Sequence, residues 1–248
     1  MRSRPMLLST LLALPASVRG WAATAAAPAI HRAAVPLQQA LRMVAPVQEC
    51  LDLKDELLQL IDEEIEDGTR GVGAPAEVAA DILEVVSELD ADGRGADEWA
   101  RSPDLAGTWE LIYTSSRTFA NNEGLSGYAR DIKGVNTPEL FMTIETQFRR
   151  VKFEEPLALE EGSLAALVGR FAGADSVQVE CVWQATSGET VLAIQSQRVV
   201  VGTKEWEPAD RQDKAVRALS AGRPIFLDDE LLVLRSEPDY ISWIFERV

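Results

Sequence analysis

Apolar residues recur at helical spacing in two segments that precede the rest of the acidic chain. Residues 49–66 carry one apolar stripe with acidic residues on the opposite side, formed by Leu51, Leu57, Leu58, Ile61 and Ile65. A second stripe follows Pro75, which suits the first turn of a helix, and consists of Val78, Ile82, Val85, Val86 and Leu89. The pattern predicts two amphipathic helices, at 49–66 and 75–89. A glycine-rich turn separates them, and a turn-rich linker follows at 90–98.

From Leu105 onward the apolar positions change to a period of two. Six runs rich in β-branched and aromatic residues are separated mostly by clusters of Gly, Pro, Ser, Asn or Asp, and they span 108–116, 139–155, 175–186, 190–202, 225–237 and 239–248. The segment 163–173 fits a short helix or another strand, and residues 209–221 predict a helical excursion. Six to eight strands without helices between them predict an antiparallel barrel or sandwich.

Alternation within these runs assigns side chains to faces. Val177, Val179, Cys181 and Trp183 share one face of their strand, and the polar residues between them share the other. Alternation breaks at Val182 and at 199–201, which indicates that both sheet faces are partly covered. A closed barrel with a helical lid would give this pattern.

The first 48 residues differ in composition from the rest of the chain. They contain no Asp, Glu or Lys, but hold five arginines and the single histidine, His31. The apolar run 6–18 is shorter than the ~20 residues that a membrane span needs. The layout resembles the bipartite presequences that direct proteins into complex plastids, and the alternative is a plain secretory signal followed by a linker. We expect three parts: a presequence at 1–48, a helical lead-in at 49–98 and a β domain at 99–248, with no membrane span in the mature chain.

Charge and missing residue types exclude several functions. The net charge of −16 argues against a nucleic-acid partner and against electrostatic binding to anionic lipids. Without a histidine beyond the presequence, imidazole catalysis and His-dependent metal sites are excluded, and two cysteines are too few for thiolate clusters. No dinucleotide or P-loop motif occurs. The sequence therefore predicts no catalytic residue, cofactor or metal.

The segment 105–116, LAGTWELIYTSS, carries the sharpest local signal. A glycine two residues before a tryptophan at the start of a first strand is typical of small barrels. Gly107 would allow a close backbone approach, and the Trp109 ring would plug one end. We expect the guanidinium of Arg235 to stack on Trp109, which would pin the first strand to a late one.

Three ordered motifs together resemble the plastid lipid-associated protein family, also called fibrillins or plastoglobulins. They are the helical lead-in with its Arg-Gly turn (54–63 and 68–90), the Leu-x-Gly-x-Trp-x-Leu-x-Tyr-Thr segment at 105–114, and the terminal Leu-Asp-Asp-x-Leu-x-x-x-Arg run with its closing strand (225–248). The resemblance covers about residues 50–248. It implies a lipocalin-like antiparallel barrel of about eight strands, located in plastids on plastoglobules, thylakoids or in stroma. It also implies a non-enzymatic role in holding apolar lipids such as isoprenoids.

The barrel assigns candidate residues to two roles. Its lining would include Phe141, Thr143, Val179, Cys181, Trp183 and Ile194, which a filled core would use equally well. The residues that close it would be Gly107, Trp109, Tyr113, Asp228, Asp229 and Arg235. The long loop 116–134 is either a mouth-covering or membrane-touching segment, with Phe119, Leu125 and Tyr128 as its apolar edge, or a disordered surface loop.

Three functional hypotheses follow. The first is a protein that binds or shields apolar lipids (isoprenoids, prenylquinones, carotenoids) at plastoglobules or thylakoids. The second is a non-catalytic scaffold with a solid barrel that recruits a plastid protein, such as an isoprenoid-pathway enzyme or a photosynthetic complex. The third is a barrel enzyme that acts on a lipid-like substrate through Tyr113 or Asp229.

Overall fold

The chain folds as a large antiparallel sheet with helices against one face. The computed structural model describes residues 37–92, 99–159, 174–186, 191–209, 215–217, 219, 222–236 and 241–248. Within them the helices are α1 (Leu37–Glu64), α2 (Ala76–Asp92), α3 (Arg117–Asn122) and α4 (Tyr128–Asp131). The strands are β1 (Gly107–Thr114), β2 (Val135–Asn136), β3 (Phe141–Glu145), β4 (Arg150–Pro156), β5 (Ala158–Leu159), β6 (Ser176–Thr186), β7 (Val191–Val201), β8 (Lys204–Trp206), β9 (Gly222–Leu227), β10 (Leu231–Ser236) and β11 (Ile241–Arg247).

Nine of these strands form one hydrogen-bonded sheet in the order β8-β7-β6-β4-β3-β1-β11-β10-β9, and β2 pairs with β5 separately. The predicted mainly-β class with a helical lead-in is thus confirmed. Within the described residues β8 and β9 end the sheet without pairing to each other. Cα atoms of β7 and β9 nevertheless lie within 8 Å, so the sheet curls towards itself. Closure into a barrel stays a prediction.

Both predicted helices of the lead-in are present with shifted bounds. α1 starts at Leu37, inside the segment 1–48 expected to be a presequence, and α2 extends to Asp92. Residues 215–217 and 219 of the predicted excursion 209–221 are helical, whereas the ambiguous segment 163–173 lies outside the described residues.

Two of the long apolar runs are hairpins rather than single strands. The run 139–155 divides into β3 and β4 around Arg149, which adopts φ +51°. The run 225–237 divides into the end of β9 and β10, where the Asp228 carboxylate accepts hydrogen bonds from the amides of Glu230 (2.9 Å) and Leu231 (2.7 Å). Neither turn contains Gly or Pro, and only the β9–β10 turn carries another residue type that turns favour, in Asp228 and Asp229.

The inner face of the curled sheet holds the larger core cluster. Its largest side chains include four tryptophans and three phenylalanines: Trp99, Trp109, Trp183, Trp243, Phe119, Phe153 and Phe245. Shorter apolar side chains of β6 and β7, such as Val179, Ile194 and Val199, belong to the same cluster. This cluster is the core of the β domain.

A second cluster joins α1 and α2 to the outer face of β9, β10 and β11. Leu57 and Ile61 of α1 and Ile82, Val86 and Leu89 of α2 are buried against it. Leu111 belongs to the inner cluster, whereas Tyr113, two residues later on β1, belongs to the outer cluster. The two side chains lie on opposite faces because the pairing of β1 with β11 shifts its register between them. The acidic sides of the helices therefore face away from the sheet, as their amphipathic pattern predicts.

Candidate functional site

Four of the six predicted lining residues lie on the inner face. Val179, Cys181, Trp183 and Ile194 belong to the inner cluster and are at most 6% exposed. This placement agrees with the sequence interpretation, while contact with a ligand stays a prediction.

The placement of Phe141 and Thr143 was wrong. On β3 the inward residues are Met142 and Ile144, and Phe141 and Thr143 are half-buried between them. Strand pairing determines which β3 side chains face inward. Met142 lies opposite the buried Trp109 of β1, and cross-strand partners share a face of the sheet. The hydroxyl of Thr143 lies 3.3 Å from that of Thr108 on the outer side.

Tryptophans fill one end of the inner face. The rings of Trp99 and Trp183 lie 6.4 Å apart at an interplanar angle of 41°. Trp109 is fully buried beside them in the same cluster, and its Nε1 donates to the carbonyl of Leu105 (3.2 Å). The buried indole N–H groups of Trp99 and Trp183 have no acceptor within the described residues. This end thus presents apolar rings with two unused hydrogen-bond donors.

The cation that stacks on Trp109 is Arg247, not Arg235. The Arg247 guanidinium lies 4.1 Å from the ring centroid and also donates to the backbone carbonyls of Ala106 (2.9 Å), Asp229 (2.5 Å) and Asp104. Gly107 has φ +144°, and a Cβ there would collide with Arg247 Nη1. At Gly107 the close neighbour is therefore the Arg247 side chain, whereas a close backbone approach was predicted.

Arg235 and Asp228 fasten the helices rather than close the sheet. Arg235 Nη1 donates to Asp90 of α2 (2.9 Å), which also pairs with Arg223. Asp228 accepts a hydrogen bond from Lys54 of α1 (2.6 Å). Asp229 is exposed and contributes its backbone carbonyl to Arg247. These contacts connect the helices of the lead-in motif to the strands of the terminal motif.

A cap covers the opposite end of the inner face. We define the cap as residues 116–134, which hold α3 and α4. Ser116 accepts a hydrogen bond from the Phe119 amide (3.3 Å) at the start of α3. Phe119 and Leu125 are fully buried, and the Phe119 ring meets Trp243 edge-on at 5.8 Å. Of the two roles considered for these apolar side chains, the burial of Phe119 and Leu125 favours covering the mouth of the sheet over touching a membrane.

A buried carboxylate holds the cap. Glu155 is 2% exposed and accepts hydrogen bonds from the backbone amides of Ser126 (2.9 Å) and Leu125. Gly124 has φ +138°, and a Cβ there would press on Glu155 and Thr137. Burial raises the pKa of Glu155, although the hydrogen bonds from the cap oppose this. Glu155 was not predicted from the sequence. It alternates with Val151 and Phe153 on β4, and this spacing places all three side chains on the same buried face.

Arg70 of the Arg-Gly turn supports the cap from the side. Its Nη2 donates to the Thr137 carbonyl (2.8 Å), and its guanidinium lies 5.0 Å from the centroid of the Phe119 ring. Thr137 in turn donates to the carbonyl of Glu123 in the cap (3.0 Å). Burial lowers the pKa of Arg70, and the charge of Glu155 opposes that shift. The lead-in motif thus reaches the mouth of the sheet.

Tyr113, which the enzyme hypothesis would use, is 1% exposed, and burial raises its pKa. Its ring lies so close to Gly71 that a Cβ on that glycine would collide with it. In the part of the chain that the structure describes, no three His, Cys, Asp or Glu residues could hold a metal. Cys50 and Cys181 are buried and form no disulfide bond. None of the described helices is long and apolar enough to cross a membrane.

The described residues thus form a mainly-β fold with an apolar inner face, a cap over one end and two helices held against the outer face. Residues 51–204 match the PAP_fibrillin family model, which covers more than half of the chain. The chain belongs to this family, the plastid lipid-associated proteins or fibrillins. Members are plastid, plastoglobule-related proteins that associate with lipids and are in general not enzymes.

Two further comparisons add little. No curated protein matches the chain. Among solved structures, a DUF4847 family protein from Bacteroides vulgatus is similar with 14% identity and a TM-score of 0.27, covering 58% of this chain and 94% of its own.

Proposed function

We propose that this plastid lipid-associated protein binds one apolar lipid, of the isoprenoid, prenylquinone or carotenoid kind, against the inner face of its sheet. The observation that carries the proposal is the capped inner face, where aromatic side chains line both ends and the cap rests on a single buried carboxylate. Lipid would enter when the cap moves away from Glu155. The protein acts by holding or shielding the lipid, without catalysis, at plastoglobules or thylakoids.

Three features support this proposal. Membership of the fibrillin family supports association with lipids in general. The approach of β7 to β9 supports closure of the sheet into a lipocalin-like barrel, and barrels of about eight strands are wide enough for one small ligand. The unused indole N–H groups of Trp99 and Trp183 favour a lipid with a hydrogen-bond acceptor, such as a quinone carbonyl.

Native mass spectrometry tests the proposal directly. The full chain is incubated with a plastid lipid extract, re-isolated and sprayed intact, and we expect one apolar molecule to remain bound. Val179→Phe, which fills the inner face, should abolish the bound mass. Val182→Phe is the matched control on the same strand, because Val182 is 41% exposed and points outward. Equal retention by both variants would contradict an inner-face site.

A second measurement covers the case in which Val179→Phe fails to fold. Decylplastoquinone should quench tryptophan emission of the unmodified chain through Trp99 and Trp183. The absence of both quenching and bound lipid would overturn the proposal. It would favour the scaffold alternative, in which the acidic outer faces of α1 and α2 recruit a plastid protein.

We also propose residues 1–48 as a bipartite plastid-targeting presequence. The absence of acids and the five arginines support this role. A fluorescent protein fused to residues 1–50 should accumulate in plastids. Secretion of the fusion would support a plain signal peptide instead.

A further inference from the structure

The turn between β3 and β4 presents an aromatic ring to solvent. Phe148 in this turn is 61% exposed, which makes it the most exposed aromatic side chain among the described residues. Contact with an apolar phase would remove this ring from water. We call residues 145–150 the hairpin tip.

Backbone hydrogen bonds hold the hairpin tip at one end of the sheet. The Arg149 carbonyl accepts a hydrogen bond from the amide of Trp183 on β6 (2.9 Å), and the Arg149 amide donates to the Thr146 carbonyl (3.4 Å). The tip therefore lies at the end where the rings of Trp99 and Trp183 meet, opposite the cap. Phe148 is thus presented by a turn of defined geometry.

Two cations flank the ring. Arg149 and Arg150 are exposed, and neither has an ion-pair partner within the described residues. The Arg150 guanidinium lies 5.6 Å from the centroid of the Phe148 ring. Glu145 lies opposite Arg150 in the strand pairing and is the one acid of the tip. The tip is therefore positive in a chain whose net charge is −16.

The surroundings of the tip do not cancel this positive charge. Val182 lies opposite Arg150 and is 41% exposed on the same face. The adjoining residues 182–186 of β6 and 191–197 of β7 include no charged side chain. The acidic turn between β9 and β10 is three strand spacings away, roughly 14 Å along the sheet. Salt screens charges beyond about 10 Å at an ionic strength of 0.1 M.

The chemistry of the tip selects among partners. Guanidinium groups pair with phosphate or sulfate oxygens, and an aromatic ring lies favourably at the boundary between headgroups and acyl chains. A small soluble anion would leave the ring of Phe148 in water. A protein partner commonly buries about 800 Å² on each side, which is more than a narrow turn with one ring offers. An anionic lipid surface satisfies both the ring and the cations.

We propose that the hairpin tip docks this protein on an anionic lipid surface. Phe148 enters the boundary between headgroups and acyl chains, and Arg149 and Arg150 pair with the anionic headgroups. The acids that give the chain its negative charge lie largely elsewhere, as on the outer sides of α1 and α2. The tip lies outside the inner face used by the proposed function, so docking and lipid carriage can each fail without the other.

A fluorescent label beside the ring tests docking on the full chain. Gln147→Cys places a thiol at an exposed position of the tip and keeps Phe148 and both arginines. Cys50 and Cys181 are buried, so an environment-sensitive nitrobenzoxadiazole dye attaches at the new thiol. Phosphatidylcholine vesicles with one third phosphatidylglycerol should shift its emission to shorter wavelength, and phosphatidylcholine alone should do so much less. Gln59→Cys, at an exposed glutamine of α1, is the matched control and should not respond.

Variants in the Gln147→Cys background separate local from overall charge. Arg149→Gly keeps the turn, because glycine favours the φ of +51° found there. It and Arg150→Gln should each weaken the apparent vesicle affinity about fivefold. Phe148→Ala should weaken it by at least as much with either vesicle composition. Arg198→Gln removes the same charge from an exposed, ion-paired site on β7 and should change the affinity less than twofold.

Reading the label prevents the five arginines of residues 1–48 from deciding the result. A label at position 147 that responds no more than one at position 59 would overturn docking through the tip. It would leave an acidic protein surface as the partner of the two arginines. Equal weakening by Arg198→Gln and Arg150→Gln would also contradict the proposal, because overall charge and not the tip would then govern binding.

Discussion

Gly107 leaves the space in which the Arg247 guanidinium stacks on Trp109 of β1. At Gly107 a positive φ and the proximity of Arg247 coincide, so a side chain there would be strained and would also displace the guanidinium from Trp109. Gly73 offers a comparison, because its φ of +85° is also positive but a Cβ added there would meet nothing within 4 Å.

We predict that Gly107→Ala lowers the free energy of unfolding by about 2–3 kcal/mol and Gly73→Ala by only about 1 kcal/mol. Backbone strain accounts for the shared part, and the lost stack on Trp109 accounts for the difference. Urea unfolding of both variants measures this. In the Arg247→Ala background the two glycine variants should become nearly equal in cost, and a persistent gap would show that Arg247 is not the cause.

The contribution of Glu155 to the free energy of unfolding should change with pH in the opposite direction to that of most native carboxylates. Burial raises its pKa above the ordinary value of 4.5, so the folded chain holds the proton more tightly than the unfolded chain. Its contribution to stability is then fully present below pH 4.5 and is lost as the pH rises through the raised folded value. Most carboxylates that are paired in a native state behave in the opposite way.

The measurement is the unfolding free energy of the unmodified chain minus that of Glu155→Gln, which cannot titrate. We predict that this difference falls as the pH rises from about 4.5 towards neutrality. A difference that does not vary with pH would mean that Glu155 keeps an ordinary pKa. A difference that grows would mean that its hydrogen bonds to the cap outweigh burial.

At the scale of elements, two ion-pair clamps hold the helices against the sheet. Lys54 of α1 is 5% exposed and reaches both Asp228 (2.6 Å) and Glu230 (2.7 Å). Asp228 also caps the β9–β10 turn, and its side chain is 24% exposed against 70% for Glu230. The two acids therefore differ in solvent screening, although both touch the same ammonium group.

We predict that Asp228→Ala lowers the unfolding free energy by about 1–3 kcal/mol, because Lys54 and two turn amides lose an acceptor. Glu230→Ala should cost at most about 0.5 kcal/mol, since an exposed pair is screened. Chemical denaturation compares the two variants. Equal costs would contradict the prediction, because they would mean that the lower exposure of Asp228 and its hydrogen bonds in the turn add nothing to stability.

The sequence predicted elements well wherever one periodicity ran unbroken. Both lead-in helices and the β6 alternation follow directly from apolar spacing, and the inward phase of Val179 and Trp183 was predicted correctly. The wrong or missing predictions concern contacts between residues that lie far apart in the sequence. Arg235 and Arg247 both follow the β9–β10 turn, and only the register of β11 against β1 shows which one reaches Trp109. The face of Phe141 likewise depends on pairing with β1, and the cap depends on Glu155, 30 residues from its amide donors.

At the scale of the molecule, the strand order places β11 in the interior of the sheet. This strand lies between β1 and β10, and its Trp243 is fully buried between the inner cluster and the cap. Trp206 of β8 lies at the sheet edge and is only half-buried. Trp243 and Trp206 thus allow a comparison of one residue type on an interior strand and on an edge strand of the same sheet.

We predict that Trp243→Ala lowers the unfolding free energy by about 3–5 kcal/mol, as expected for a buried aromatic side chain. Trp206→Ala should cost about 1 kcal/mol. Thermal or urea unfolding of the pair checks this, with circular dichroism to confirm that each variant folds. A comparable loss for both would mean that the edge strand is as tightly integrated as the centre.

The position of β11 also sets the order of events during biosynthesis. The first long strand, β1, cannot gain its neighbour on one side until residues 241–247, more than 120 positions later, have left the ribosome or the import channel. Until then β1 and β10 expose unpaired amide and carbonyl groups and an adjoining greasy surface, which invites mispairing between nascent copies. We therefore expect slow folding, because contacts between residues so distant along the chain must form before the sheet is complete.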